Sequence, residues 1–243
     1  MHLRAISLLF LAALHPGYDL EKHDRPDFEA ARLQPGTFQY RDSQSGKTLG
    51  ESVITVKAQD PGSTYSFSNI VKGPSSQQWR VMTSSDFAPL SAELTFGDGV
   101  NAHKAFQLSY HATHVTGSFA VKREDGGYMD RPVDAFVASD TIDQRIDWAA
   151  TMSLASYSPR QNFSFHVYDP KGGNSPVLAK VLAVEEIHVS AGTFHVVRIA
   201  YRIQKATGPE TFVVFVKESS PRFLVKEIFP DGVISELSQI TPY

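Results

Sequence analysis

Residues 177–239 turn too often to be anything but consecutive β-strands. Residues 177–189 are rich in β-branched side chains, and Ser190-Ala191-Gly192-Thr193 then breaks the run with small residues and a glycine free to take positive φ. Beyond it Val197, Ile199, Tyr201 and Ile203 share one face, while Arg198, Ala200, Arg202 and Gln204 share the other. A period of two marks a strand with one buried face. Thr207-Gly208-Pro209-Glu210 is a turn, and 211–216, apolar on both faces, reads as an inner strand. Ser219-Ser220-Pro221 and Pro230-Asp231-Gly232 frame a strand over 222–229, and 233–240 is the last. Links this short join antiparallel neighbours, because a parallel crossover needs about a dozen residues. The stretch is a β-meander with a tight hairpin at Gly192.

On the strand 222–229, Arg222, Leu224, Lys226 and Ile228 alternate with Phe223, Val225, Glu227 and Phe229. The second set is the more apolar. It assigns Phe223, Val225 and Phe229 to the interior, and Arg222 and Lys226 to the outer face or rim, since burying an unpaired guanidinium costs several kcal/mol.

The same rhythm runs upstream. Turn signals at Gly46, Pro61-Gly62, Gly73-Pro74 and Pro89 separate strands over 37–40, 52–57, 64–71, 77–83 and 92–96, and 105–110, 114–122 and 163–168 follow. Residues 140–154 interrupt it with Ile142, Ile146, Ala149, Ala150 and Leu154 at helical spacing. Asp140 as N-cap and Asp143 in the capping-box position complete a helix of about three turns. Residues 123–131, rich in glycine and charge, are the weakest joint. The expected fold is all-β: an antiparallel curled sheet, a half-barrel or barrel of about ten strands with one short packed helix, in a single domain over 34–243.

At the N-terminus a basic residue, Arg4, precedes about ten apolar residues and His15-Pro16-Gly17. Residues 1–17 read as a secretory signal, with a first core helix as the alternative, and 18–33 as a linker. The expected location is periplasmic or secreted. No apolar run reaches the roughly eighteen residues of a membrane-spanning helix. The net charge of −3 and pI near 6.3 argue against a phosphate-binding surface, and no nucleic-acid partner is expected. The absence of cysteine excludes disulfides, zinc-thiolate sites, iron–sulfur clusters and thiol nucleophiles.

Candidate chemistry is sparse. His111 and His114, with His103 upstream, converge only if a turn falls between them. His188 and His195 flank the Gly192 hairpin and bind a metal or simply sit on its wet face. Asp140, Asp143 and Asp147 fall on one helical face, where they serve either acid catalysis or helix capping. No Gly-x-Ser-x-Gly elbow, His-Glu-x-x-His or phosphate-binding loop is present. No catalytic residue, metal ligand or cofactor is assigned. Aromatic residues occupy nearly every strand, and a curled sheet carrying them either packs solid or encloses an apolar cavity. For a cavity the lining is Phe38, Tyr40, Phe67, Trp79, Phe106, Phe165 and Phe212.

Gly36-Thr37-Phe38-Gln39-Tyr40 with Leu49-Gly50, Asp86-Phe87-Ala88-Pro89-Leu90, the segment 147–154, Val189-Ser190-Ala191-Gly192-Thr193-Phe194, and Pro221-Arg222-Phe223-Leu224-Val225-Lys226 with Asp231-Gly232 follow a familiar order. In this the chain resembles domain-of-unknown-function family 3108, a family of exported bacterial β proteins, over roughly 34–240. Residues 101–131 depart most from it. The resemblance implies fold and export but transfers no catalytic residue, and its shape is similar to the half-barrels of envelope lipoprotein carriers. Three readings stay open. The first is non-enzymatic binding of a lipid, another apolar ligand or an envelope partner. The second is a structural or assembly protein acting through a sheet edge, and the third an enzyme with carboxylates or histidines in the barrel mouth.

Overall fold

The structure is a computed structural model that describes residues 26–243 apart from 61, 74, 75, 100 and 101. The signal-like segment 1–17 lies outside the described residues. The first arm of the chain contains β1 (Gly36–Gln44), β2 (Lys47–Gln59), β3 (Thr64–Lys72), β4 (Gln77–Ser84), β5 (Pro89–Phe96), β6 (His103–His111), β7 (His114–Lys122) and β8 (Tyr128–Phe136). A short β9 (Thr141–Asp143), a 3-10 turn (Gln144–Ile146) and the helix α1 (Asp147–Met152) follow. The second arm is β10 (Asn162–Asp169), β11 (Gly173–Val189), β12 (Gly192–Lys205), β13 (Gly208–Lys217), β14 (Leu224–Ile228) and β15 (Ile234–Pro242).

All fifteen strands belong to one sheet. It runs from β8 through successive hairpins to β1, crosses from β1 to β15, and continues back to β9. Every ladder is antiparallel except that between β9 and β10. β8 and β9 are therefore the two edges, yet only four residues separate Phe136 from Thr141. A chain that short spans at most roughly 17 Å. The sheet is forced to curl until its edges nearly meet, without a ladder closing it.

Inside the curl sits the connection itself. All six residues of α1 are buried, Trp148 meets Phe67 edge-on with centroids 6.4 Å apart, and Tyr110 of β6 donates to Asp143 Oδ2 at 2.6 Å. The helix is a plug around which the two arms fold. Residues 26–33, inside the segment expected as a linker, are packed as well: Phe28, Ala30 and Leu33 are buried, and Leu33 bridges to Arg222.

Three expectations change. Among the described residues the strand count is fifteen rather than about ten. β8, Tyr-Met-Asp-Arg-Pro-Val-Asp-Ala-Phe, hid in the joint because its charges and Pro132 suit an unpaired edge that must resist further pairing. The helix is six residues, because 141–143 pair with β10 and Asp143 caps the 3-10 turn, accepting from Arg145 N at 3.0 Å. Arg222, expected on the outer face, is buried to 7% exposure. It donates through Nη1 to the carbonyls of Met152 (3.1 Å) and Leu154 and through Nε to that of Glu218, and its guanidinium lies 4.5 Å from the Tyr157 ring centroid. Backbone carbonyls and a ring face, rather than a carboxylate, satisfy the charge. Phe223 and Val225 are buried as expected, and Lys226 pairs with Glu236 at 2.7 Å.

Candidate functional site

Beside the plug a cleft of about 440 Å³ remains. Ile54, Val71, Trp79, Leu94, Phe212 and Leu224 form its apolar wall, and Asp42, Asn69, Arg145, Asp147, Tyr201 and Glu227 bring polar groups to it. The volume is within the range of small-molecule sites, and the mixture of apolar lining and a few convergent polar groups is typical of them.

Three of the polar residues form one unit. Tyr201 comes from the inner face of β12, Glu227 from that of β14, and Asp147 opens α1, where its Oδ1 accepts from Trp148 N at 2.6 Å. Tyr201 Oη lies 3.1 Å from Asp147 Oδ1 and 3.2 Å from Glu227 Oε1. A phenol has one proton, so Tyr201 donates to one carboxylate and accepts from the other only if that one is protonated. Burial pushes the Asp147 carboxyl up to about 7, partly opposed by the Trp148 N–H, Tyr201 and Arg145. Burial, with the Asp147 charge behind it, pushes Glu227 up to about 8. Two acids that cannot both ionise cheaply share protons through the tyrosine.

Arg145 adds no free positive charge to the wall. Its Nε and Nη2 grip both oxygens of Asp143, at 2.5 and 2.6 Å, and Nη1 reaches Asp169 at 2.7 Å. The guanidinium also lies 4.4 Å from the Phe106 ring centroid, so this fork fixes the 3-10 turn between β6 and β10.

Of the seven aromatics expected to line a cavity, Trp79 and Phe212 border the cleft. The others pack in the core. Phe38 stacks on Phe223 at 5.7 Å, Tyr40 donates to the Leu224 carbonyl at 2.9 Å, and Phe67 packs on Phe87. Phe165 meets Phe28, and Phe106 lies under Arg145. The gap bordered by Phe38 and Tyr40 is only about 10 Å³, too small for a ligand.

The three aspartates do not share a helical face: Asp140 contacts His166 Nδ1 at 2.7 Å, Asp143 serves Arg145, and Asp147 alone faces the cleft. A turn does set His111 opposite His114, but His114 pairs with Asp134 and His103 stacks on Tyr128. His188 bonds Thr193 and His195 approaches Glu186, both exposed on the outer hairpin. Among the described residues no three metal-ligating side chains converge. Sequence reasoning missed Asp42, Arg145, Tyr201 and Glu227 as a group. The available signal was Glu227, an acid on the otherwise apolar face of Phe223 and Val225.

Comparison with known proteins places the chain. The family described as "Protein of unknown function (DUF3108)" matches residues 37–236. A crystal structure of a β-barrel-like protein of domain of unknown function DUF1849 from Brucella abortus is similar at 9% identity and a TM-score of 0.53, covering 88% of this chain and 99% of the other. A candidate exported protein with a YmcC-like fold from Bacteroides fragilis gives 9% identity and a TM-score of 0.35, with the same coverage of both chains. A candidate lipoprotein from Parabacteroides distasonis gives 13% and 0.34, again over 88% and 99%. No curated protein matches the chain. With a family match that spans most of its length, the chain belongs to the DUF3108 family of proteins of unknown function.

Proposed function

We propose that this protein is a non-enzymatic, exported binding domain that takes a small amphipathic molecule into the cleft between its two arms. The single observation that carries this reading is the cleft of about 440 Å³, with apolar residues on one side and Asp147, Tyr201 and Glu227 converging on the other. The export part rests on the basic-then-apolar N-terminus. A long acyl chain is a poorer fit than a compact ligand, because the plug helix fills the interior of the curl.

The chain has two tryptophans, Trp79 and Trp148, and both line the cleft. Titration with the neutral dye N-phenyl-1-naphthylamine should quench their emission saturably at one equivalent, and Phe212→Ala should weaken binding severalfold. Emission that stays unchanged, or declines without saturation in both proteins, would overturn the reading.

A second reading is acid–base catalysis in the cleft. It is favoured by carboxyls at about 7 and about 8, poised to exchange protons near neutral pH. Chemical change in a molecule released from the cleft, abolished by Glu227→Gln, would select it over simple binding.

A further inference from the structure

The cleft's polar wall has a definite sign. Asp42, Asp147, Asp169, Glu227 and Asp231 face it, against Arg145, whose nitrogens are committed to Asp143 and Asp169. Asp147 and Glu227 are only 4% and 6% exposed, and each uses one carboxyl oxygen on Tyr201. Among the described residues no hydrogen bond reaches Asp147 Oδ2 or Glu227 Oε2. On the same wall Asn69 Oδ1 is buried without a partner. The Asn69 oxygen is a buried acceptor left open, which calls for a donor from outside the chain, water or ligand.

We infer that the ligand of this cleft carries a protonated amine, which docks against the open oxygens of Asp147 and Glu227 while its apolar part lies on Trp79, Leu94 and Phe212. The inference rests on the binding reading above and adds the charge of the ligand to it. A primary ammonium offers three donors and no acceptor, matching a wall that offers acceptors and no uncommitted cation. A carboxylate or phosphate of the same size would enter a field of its own sign. Because Asp147 and Glu227 meet on one tyrosine hydroxyl, their carboxyls converge at one point, where a single ammonium would favour the ionised form of both.

Three probes of equal length test this on the full chain at pH 8: octylamine, octanol and octanoate, each displacing the neutral dye. Octylamine should bind at least tenfold tighter than octanoate, with octanol between. Glu227→Gln, an isosteric change that removes the charge, should weaken octylamine at least fivefold and octanol far less. If octanoate competes as well as octylamine, or the Gln variant binds octylamine as tightly, the charge assignment is wrong while the cleft stands. If neither the dye nor any of the three probes binds saturably, the cleft reading and this inference are both wrong.

Discussion

Arg222 Nη1 donates to the backbone carbonyl of Met152 at 3.1 Å, across 70 residues of sequence. That bond, with those to Leu154 and Glu218, ties the end of α1 to the turn before β14, while the Arg222 backbone exchanges hydrogen bonds with Arg32 and Gln34. Arg222→Ala should cost about 3–5 kcal/mol, since it strands several buried carbonyls at once. Urea melts check this, and a loss below about 1 kcal/mol would mean the clamp is unimportant.

Stability should fall as pH rises. Asp147 and Glu227 move from ordinary values of 3.8 and 4.5 to about 7 and about 8 in the folded protein, so between those limits the folded chain holds protons the unfolded chain has lost. Their stabilisation is complete below about pH 4 and is gone above about pH 8, with a slope of at most about 1.4 kcal/mol per pH unit for each proton. Asp42, raised by burial, acts in the same direction, while Arg145 stays charged throughout. Urea midpoints from pH 5 to 9 should decline, and Glu227→Gln should flatten the decline. A rise with pH would contradict the buried pair.

Phe223 is held on two sides, stacked on Phe38 at 5.7 Å and edge-on to Phe194 at 5.5 Å. Phe223→Ala should cost about 3–5 kcal/mol. Chemical denaturation of this variant should show that loss; a near-neutral result would place Phe223 beside open space instead of packed rings.

Two glycines should separate backbone strain from collision. Gly192 has φ of +135°, but a Cβ there would come no nearer than 3.8 Å to the Phe194 ring, so Gly192→Ala costs about 1–3 kcal/mol of conformation alone. At Gly117, φ is +142° and a Cβ would sit 2.1 Å from the Gln107 carbonyl oxygen on the neighbouring strand. Gly117→Ala should melt well below Gly192→Ala, and His188→Ala and His195→Ala should stay within about 0.5 kcal/mol of the parent. The reverse ranking of the glycines would show that β6 and β7 part easily.

The sheet was legible where turns and alternation agree. Strands β11 to β15 follow from glycine, proline and the period of two, and their short links already demand antiparallel pairing. β8 was not legible, because an edge needs the polar and proline residues that also mark loops. Parity put Tyr201 on a buried face and Glu227 on the same face as Phe223 and Val225, but could not bring together residues 26 apart with Asp147, 54 residues before Tyr201. Arg222 misled for a related reason. Periodicity prices a buried guanidinium as unpaired, and its partners here are backbone carbonyls from a helix end, which side-chain patterns do not register.

The β1–β15 ladder carries a consequence for the order of the chain. Gly36 pairs with Pro242, so the two ends of the sheet-forming chain lie side by side at its middle, while its edges are joined by the β8–β9 link. Splice those ends together and cut between 136 and 141, and every strand would pair only with its neighbours in sequence, from β9 through β15 and β1 to β8. In topology the domain is a circular permutation of a serpentine that is antiparallel except at β9–β10. Its one ladder of high sequence separation, β1–β15, sits at the centre of the sheet, where its formation must unite two otherwise local arms.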